Sequence, residues 1–128
     1  MRQPASALEL DLEIEQRAFE PGGRLSGVAS WSAAVVPRGF ELRLCWVTAG
    51  KGGRDLRIAD SVLLPQPQAV ERRPFILNLP LGPYSFRGEL VSLSWWLDLI
   101  ALPGEERTRV ELVIAPGRET IDIGDRRA

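Results

Sequence analysis

Few residues in this chain are able to do chemistry, and what is missing narrows the rest. No histidine occurs in the 128 residues, which removes the commonest general base, the usual activator of a serine or cysteine nucleophile and the commonest metal ligand together. Cys45 is the single cysteine. Ser-His-Asp and Cys-His arrangements therefore cannot form, a zinc site would have to be built from one thiolate and carboxylates, and no intramolecular disulfide can close. Carboxylate pairs remain open, because glycoside hydrolysis needs only two acids, and Glu41 and Asp98 are the candidates. The acids, however, sit mostly at outward strand positions beside arginines, where solvated ion pairs account for them. Gly50-Lys51-Gly52-Gly53 has glycines and a lysine but neither the spacing of a phosphate loop nor its following helix. No run has the ligand spacing of a calcium loop. The expectation is a protein that is not an enzyme, with no catalytic residue, no cofactor and no metal.

Composition points the same way. Sixteen basic residues face seventeen acidic ones, a net charge of -1, without the basic excess that supplies most nucleic-acid affinity; no nucleic-acid partner is expected. Met1-Arg2-Gln3-Pro4 lacks the apolar stretch of a signal peptide, and no long apolar run is available to span a bilayer. A cytoplasmic location without membrane insertion is the expectation. With 45% hydrophobic residues the chain has the material for one buried core and the length for one domain.

The elements that must position any site are strands. Leu8, Leu10, Leu12 and Ile14 alternate with Glu9, Asp11, Glu13 and Glu15, a period of two that puts apolar groups on one face and carboxylates on the other. Pro21-Gly22-Gly23 breaks the chain. A second strand over 24–32 has Leu25, Ala29 and Trp31 in one parity with Val28 out of step, so Gly27 is expected to mark a bulge. Phe40, Leu42, Leu44 and Trp46 form one face of a third strand, with Glu41, Arg43, Cys45 and Val47 on the other. Further strands are expected over 55–64, 73–79 and 86–101, around Val110, Leu112 and Ile114, and at 119–123. In the longest of these, Val91, Leu93, Trp95, Leu97 and Leu99 make the core face, which turns Ser94, Trp96 and Asp98 outward. Seven or eight short strands with turn signals between them and no helix predict an all-β, antiparallel β-sandwich of immunoglobulin-like type over 7–123. Residues 1–6 and 124–128 are expected to be flexible ends.

Two segments resemble a known family. Phe19-Glu20-Pro21-Gly22-Gly23-Arg24-Leu25-Ser26-Gly27-Val28 is similar to the F-x-P-G-[EGD]-x-[VL]-x-G-x-V opening of arrestin-like domains. Residues 74–99 resemble the stretch in which F-x-[LF]-x-[LF]-P precedes P-x-S-[FY]-x-G-x-L-[IV]-x-[VLI]-x-[WY], here Phe75, Leu77, Leu79, Pro80, Pro83, Ser85, Phe86, Gly88, Leu90, Val91, Leu93 and Trp95. That family includes arrestins, retromer-type Vps26 subunits and bacterial sporulation-control proteins, whose members act as adaptors. The resemblance implies an arrestin-like sandwich in a single-domain, bacterial-like form. It further implies a binding or scaffolding module that acts through a sheet face or an edge strand. Lys51 is the only lysine, and nothing matches the phosphate-sensing lysines of receptor-binding arrestins, so phosphopeptide recognition does not transfer.

The candidate partner-binding residues follow from face and charge. Trp96 is the first, an outward tryptophan of the type enriched at interfaces, with Cys45 and Val47 extending its patch. Arg72 and Arg73, and the Lys51 and Arg54 loop, are candidates for an acidic partner. An open edge strand, such as that over 8–14, offers pairing with a client or in a homo-oligomer. The competing functions are a carbohydrate- or small-ligand-binding sandwich that uses Trp96 as a platform, and a structural subunit of a larger assembly.

Overall fold

The computed structural model describes residues 8–104 and 106–123; the two ends expected to be flexible lie outside the described residues. In chain order the strands are β1 (Leu8–Glu13), β2 (Ala18–Phe19), β3 (Arg24–Ala33), β4 (Gly39–Gly50), β5 (Gly53–Pro65), β6 (Val70–Asn78), β7 (Phe86–Arg87), β8 (Val91–Leu102), β9 (Arg107–Ile114) and β10 (Ile121–Asp122). Seven have six residues or more and three have two. A short 3-10 turn, Pro116–Arg118, precedes β10.

The long strands form two sheets. The smaller has the order β1-β3-β6. In the larger, β8 is central, flanked on one side by β4 and then β5 and on the other by β7 and β9. The long pairings are all antiparallel, while β2 adds to β9 and β10 to β7 in parallel. This is an antiparallel β-sandwich. Its core draws on both sheets: Leu25, Ala29, Trp31, Phe75 and Leu77 from the smaller, and Phe40, Leu42, Leu44, Trp95, Leu97, Leu99, Leu112 and Ile114 from the larger. Trp31 of β3 stacks on Phe40 of β4 with ring centroids 4.0 Å apart, a contact between the sheets worth about 0.5–1.5 kcal/mol beyond its buried area. The indole N–H of the fully buried Trp95 donates to the Pro83 carbonyl at 2.9 Å, so burying it leaves no orphaned donor.

The two segments that carry the family resemblance meet in space. Gly22 N–H donates to the Pro80 carbonyl at 3.0 Å, and Leu79 N–H donates to the Gly23 carbonyl at 2.8 Å. Gly22 adopts φ +76, and a Cβ there would lie 2.9 Å from Leu81 Cδ2, so the turn requires glycine twice over. Ser85, buried at 2% exposure, continues the joint: its hydroxyl accepts the Ile114 N–H at 3.0 Å and its own N–H donates to the Ile114 carbonyl.

Several sequence expectations need correction. Gly27 is not at a bulge, because β3 runs in unbroken register with both β1 and β6. Gly27 faces inward, where a Cβ would stand 2.6 Å from Ile14 Cγ2, 2.7 Å from the Glu13 carbonyl oxygen and 2.9 Å from Phe75 Cζ. The glycine admits the chain leaving β1, and Val28 falls out of step because it faces outward. The bulge lies between β4 and β5, at Leu44/Cys45. The strand expected over 86–101 is broken by a bend at 89–90 into β7 and β8, and Val91, assigned to the core face, is 41% exposed. β6 begins at Val70 and β5 at Gly53, each earlier than expected.

Replacing Gly27 with valine forces side chain into occupied space, and overpacking of this kind costs about 1–3 kcal/mol. Chemical denaturation of Gly27→Val is expected to show a lowered midpoint with an unchanged slope. An unaltered midpoint would remove the steric account.

Candidate functional site

The candidate site is the outer face of the larger sheet, and strand register assembles it in rows. Cys45 on β4 stands opposite both Ile58 on β5 and Trp96 on β8, and Trp96 stands opposite Glu111 on β9. The next row is Ser61, Arg43, Asp98 and Arg109. Directly opposite residues share a face and touch, so Trp96, Cys45 and Val47, singled out separately in the sequence, belong to one surface.

The burial of that surface differs from expectation. Cys45 is 1% and Val47 4% exposed, and Ile100 on the same face is 3% exposed. Asp98, expected in a solvated outward pair, is 1% exposed. A canopy of arginines from β9 accounts for part of this, above all at Asp98. Arg107 Nη1 donates to Asp98 Oδ2 and Arg109 Nε to Asp98 Oδ1, each at 3.0 Å. The Arg109 guanidinium lies 4.6 Å from the Trp96 ring centroid, and arginine stems cover apolar surface while their heads reach polar partners. The Trp96 indole N–H donates to Ser94 Oγ at 2.9 Å, and the ring is half-buried. Beside this, Glu41 accepts both Nε and Nη2 of Arg43 and the Ser61 hydroxyl.

These contacts set the electrostatics. Hydrogen bonds from Arg43 and then Ser61 hold the Glu41 carboxyl below its ordinary range. Burial, reinforced by the Asp98 charge, pushes the Cys45 thiol up, so it stays protonated and is a poor nucleophile. Both carboxylates once open to a hydrolytic role are thus committed to arginines. Among the described residues no buried side-chain nitrogen or oxygen lacks a hydrogen-bond partner, and no three His, Cys, Asp or Glu side chains converge to hold a metal.

Of the other predicted residues, Arg54 lies at the β5 edge of this face, opposite Ala49, and the rest do not join it. Arg72 and Arg73 are adjacent and so point to opposite faces of the smaller sheet. Arg72 pairs bidentately with Glu13 on the outside. Arg73 turns inward to Glu71 and the Pro65 carbonyl and lies 5.6 Å from the Trp31 ring, closing the gap between the sheets. Lys51 occupies the β4–β5 turn and Arg54 the start of β5, both exposed. A hollow of about 770 Å³ beside the β1–β2 connection has Phe19 as its only aromatic lining residue, and that ring is buried. Sequence reasoning missed Arg107 and Arg109. The signal was present: with Val110, Leu112 and Ile114 inward, Arg107, Arg109 and Glu111 must face outward on the strand that follows Asp98.

With that geometry in place, the class of the fold is clear: the chain is an arrestin-like β-sandwich. Among solved structures it is similar to Spo0M, a sporulation control protein from Bacillus subtilis, with a TM-score of 0.65 and 20% identity over 86% of this chain. The chain spans 50% of that protein. Partial overlaps occur with the Pseudomonas fluorescens alkylpurine DNA glycosylase AlkC (TM-score 0.43, 10% identity, 86% of this chain and 31% of that one). Another is with a Listeria innocua β-glucosidase (TM-score 0.46, 11% identity, 89% of this chain and 17% of that one); neither has a bearing on chemistry here. No family model matches the chain, and no curated protein matches it in sequence. Among the described residues no helix is long and apolar enough to cross a membrane.

Asp98 and its arginines are unequally exposed, at 1% against 39% and 37%, and this predicts an asymmetry. Arg107→Met combined with Arg109→Met strands a buried carboxylate and is expected to cost about 3–5 kcal/mol. Asp98→Ala leaves two arginines able to reach water and is expected to cost clearly less. Equal losses in urea titrations would contradict the canopy.

Glu41 and Glu71 also imply a pH dependence. Glu71 is held below its ordinary range by the Gln68 backbone N–H and then by Arg73. Carboxylates depressed in the folded state stabilise fully above their unfolded value, and that stability is lost as pH falls through the folded one. Thermal stability is expected to be level from neutrality down to about pH 5 and to drop below about pH 4.5. Glu41→Gln with Glu71→Gln is expected to start lower and flatten that acid limb; an acid limb as steep as wild type would refute the assignment.

Proposed function

We propose that this chain is a non-catalytic protein-binding module, an adaptor or scaffold whose partner-facing surface is the outer face of the larger sheet. The observation that carries the reading is the pairing of Trp96 with Arg109, fixed in turn by the buried Asp98. Tryptophan and arginine are the side chains most enriched among interface residues that dominate affinity. Here both are held in place before any partner arrives, which lowers the ordering cost of association. Asp98, Arg107 and Arg109, with Glu41 and Arg43 beside them, are committed to ion pairs, which suits binding better than turnover. The face carries both signs, Arg43, Arg54, Arg107 and Arg109 beside Glu41, Asp98 and Glu111, a mixture that favours a mixed protein surface over a polyanion. A buried, protonated lone thiol suits a cytoplasmic setting, and the fold likeness suits a bacterial one. A carbohydrate platform needs an open ring face, and Arg109 occupies one face of Trp96.

Crosslinking of the tagged chain at native expression level, read by mass spectrometry, tests this. Partner crosslinks are expected on the accessible residues of this face, Trp96, Arg107, Arg109 and Glu111. Glu111→Arg, an exposed change in the Trp96 row, is expected to reduce them about tenfold without altering the melting temperature. Crosslinks that fall elsewhere, or ignore Glu111→Arg, would contradict the assigned face. Tryptophan fluorescence is expected to stay constant across a glycan panel, and a saturable change would favour the carbohydrate reading instead.

A further inference from the structure

The edge of the larger sheet holds a second surface that the Trp96 face does not explain. β5 pairs with β4 alone, and the nine residues from Gly53 to Ser61 are all exposed. The other edges are occupied or blunted. β2 pairs along β9, β1 packs near β9, and β6 carries Pro74, which has no N–H to offer a new strand. β5 has no proline or glycine between Arg54 and Leu64. Leu56, Ile58 and Leu63 on it are 47%, 52% and 59% exposed, and a long open edge with apolar side chains is a template for another strand.

The bulge says which strand fits. Leu44 stands opposite Asp60 but Cys45 stands opposite Ile58, so Ala59 is the extra residue. Before it, Arg54, Leu56 and Ile58 pair with Ala49, Val47 and Cys45; after it, Ser61 and Leu63 pair with Arg43 and Glu41. All of these lie on the outer face, so the outward positions are even-numbered before Ala59 and odd-numbered after it. Two copies related by a two-fold axis pair antiparallel, and each pair must share a face. In an unbroken strand only registers centred on a residue achieve this. In β5 the matching register is centred between Ile58 and Ala59, and it keeps faces in phase from Arg54 to Leu63. It sets Ile58 against the second copy's Ala59, Leu56 against Ser61, and Arg57 against Asp60.

That last pair supplies the charge complementarity, and symmetry makes it occur twice. Arg57 and Asp60 are both exposed, on the inward side of β5 where the smaller sheet does not cover it. Arg57 has only a loose contact with Asp55 at 3.7 Å, with both side chains about two-thirds exposed, a pair worth little in water. We infer that β5 is a homodimerisation edge: a second copy of this chain pairs antiparallel along it in the register centred between Ile58 and Ala59, which continues the larger sheet across the two-fold axis. The inference stands on the β5 pattern and holds whatever the Trp96 face binds.

Sedimentation equilibrium of the 128-residue chain, from low to several hundred micromolar, reads the result. The expected species is a dimer of twice the 14.2 kDa chain. Asp60→Arg sets arginine against arginine and is expected to weaken the dimer about tenfold or more. Adding Arg57→Asp to that variant is expected to restore it, because the double swap recreates both pairs. Circular dichroism melts of the variants are expected to match wild type, as both positions are exposed. A chain that stays monomeric throughout, a dimer indifferent to Asp60→Arg, or a double swap that fails to recover association would each overturn the inference.

Discussion

The twelve-residue pairing of β4 with β8 is the constraint from which the rest of the structure follows. Its inward side chains, among them Phe40, Leu42, Leu44, Trp95, Leu97 and Leu99, fill the core against the smaller sheet. Strand alternation then sends Cys45, Val47, Trp96, Asp98 and Ile100 to the opposite face. No further layer covers that face among the described residues, yet four of these five are buried. Over Asp98 the cover is made of side chains from the neighbouring strand, Arg107 and Arg109. Charged heads brought over an apolar row need a local counter-ion, and Asp98 is placed to provide both carboxylate oxygens. The charge network is therefore a consequence of a strand pair that is apolar on both sides.

The motifs behind the family resemblance have a physical reading of their own. They are two halves of one joint, where the turn at Gly22-Gly23 hydrogen-bonds to the chain leaving β6 at Leu79-Pro80. Ser85 ties the continuation to the end of β9. A joint of this kind fixes how the two sheets are connected and touches none of the outer-face residues. It is a signature of architecture, and function has to be argued from the face that this chain displays.

Much of this was legible in the sequence, for local reasons. The alternation in β1 and the inward set Leu93, Trp95, Leu97 and Leu99 are period-two signals, and they were enough to turn Trp96 and Asp98 outward. Outward and exposed are separate properties, though. Whether Cys45 and Asp98 meet water depends on which strand lies across from them, and Arg107 and Arg109 arrive there only through the β8–β9 pairing. Gly27 shows a true irregularity read with the wrong cause, since a tight approach by Ile14 and a bulge both favour glycine. The actual bulge passed unnoticed because Ala59 is an ordinary residue and only the register with β4 reveals it. Arg72 and Arg73 look like one basic pair in sequence but face opposite sides of a strand.

The central claim is that Trp96 and Arg109 form a fixed element of the outer face before any partner binds. Ring-current shifts in the proton NMR spectrum of the free protein test this most directly. A guanidinium held 4.6 Å from the Trp96 centroid predicts Arg109 side-chain protons displaced well upfield of their random-coil positions, with a distinct Nε–H signal protected by its bond to Asp98. Arg109 protons at random-coil positions, with an Nε–H lost to rapid exchange, would show a mobile side chain and contradict the account.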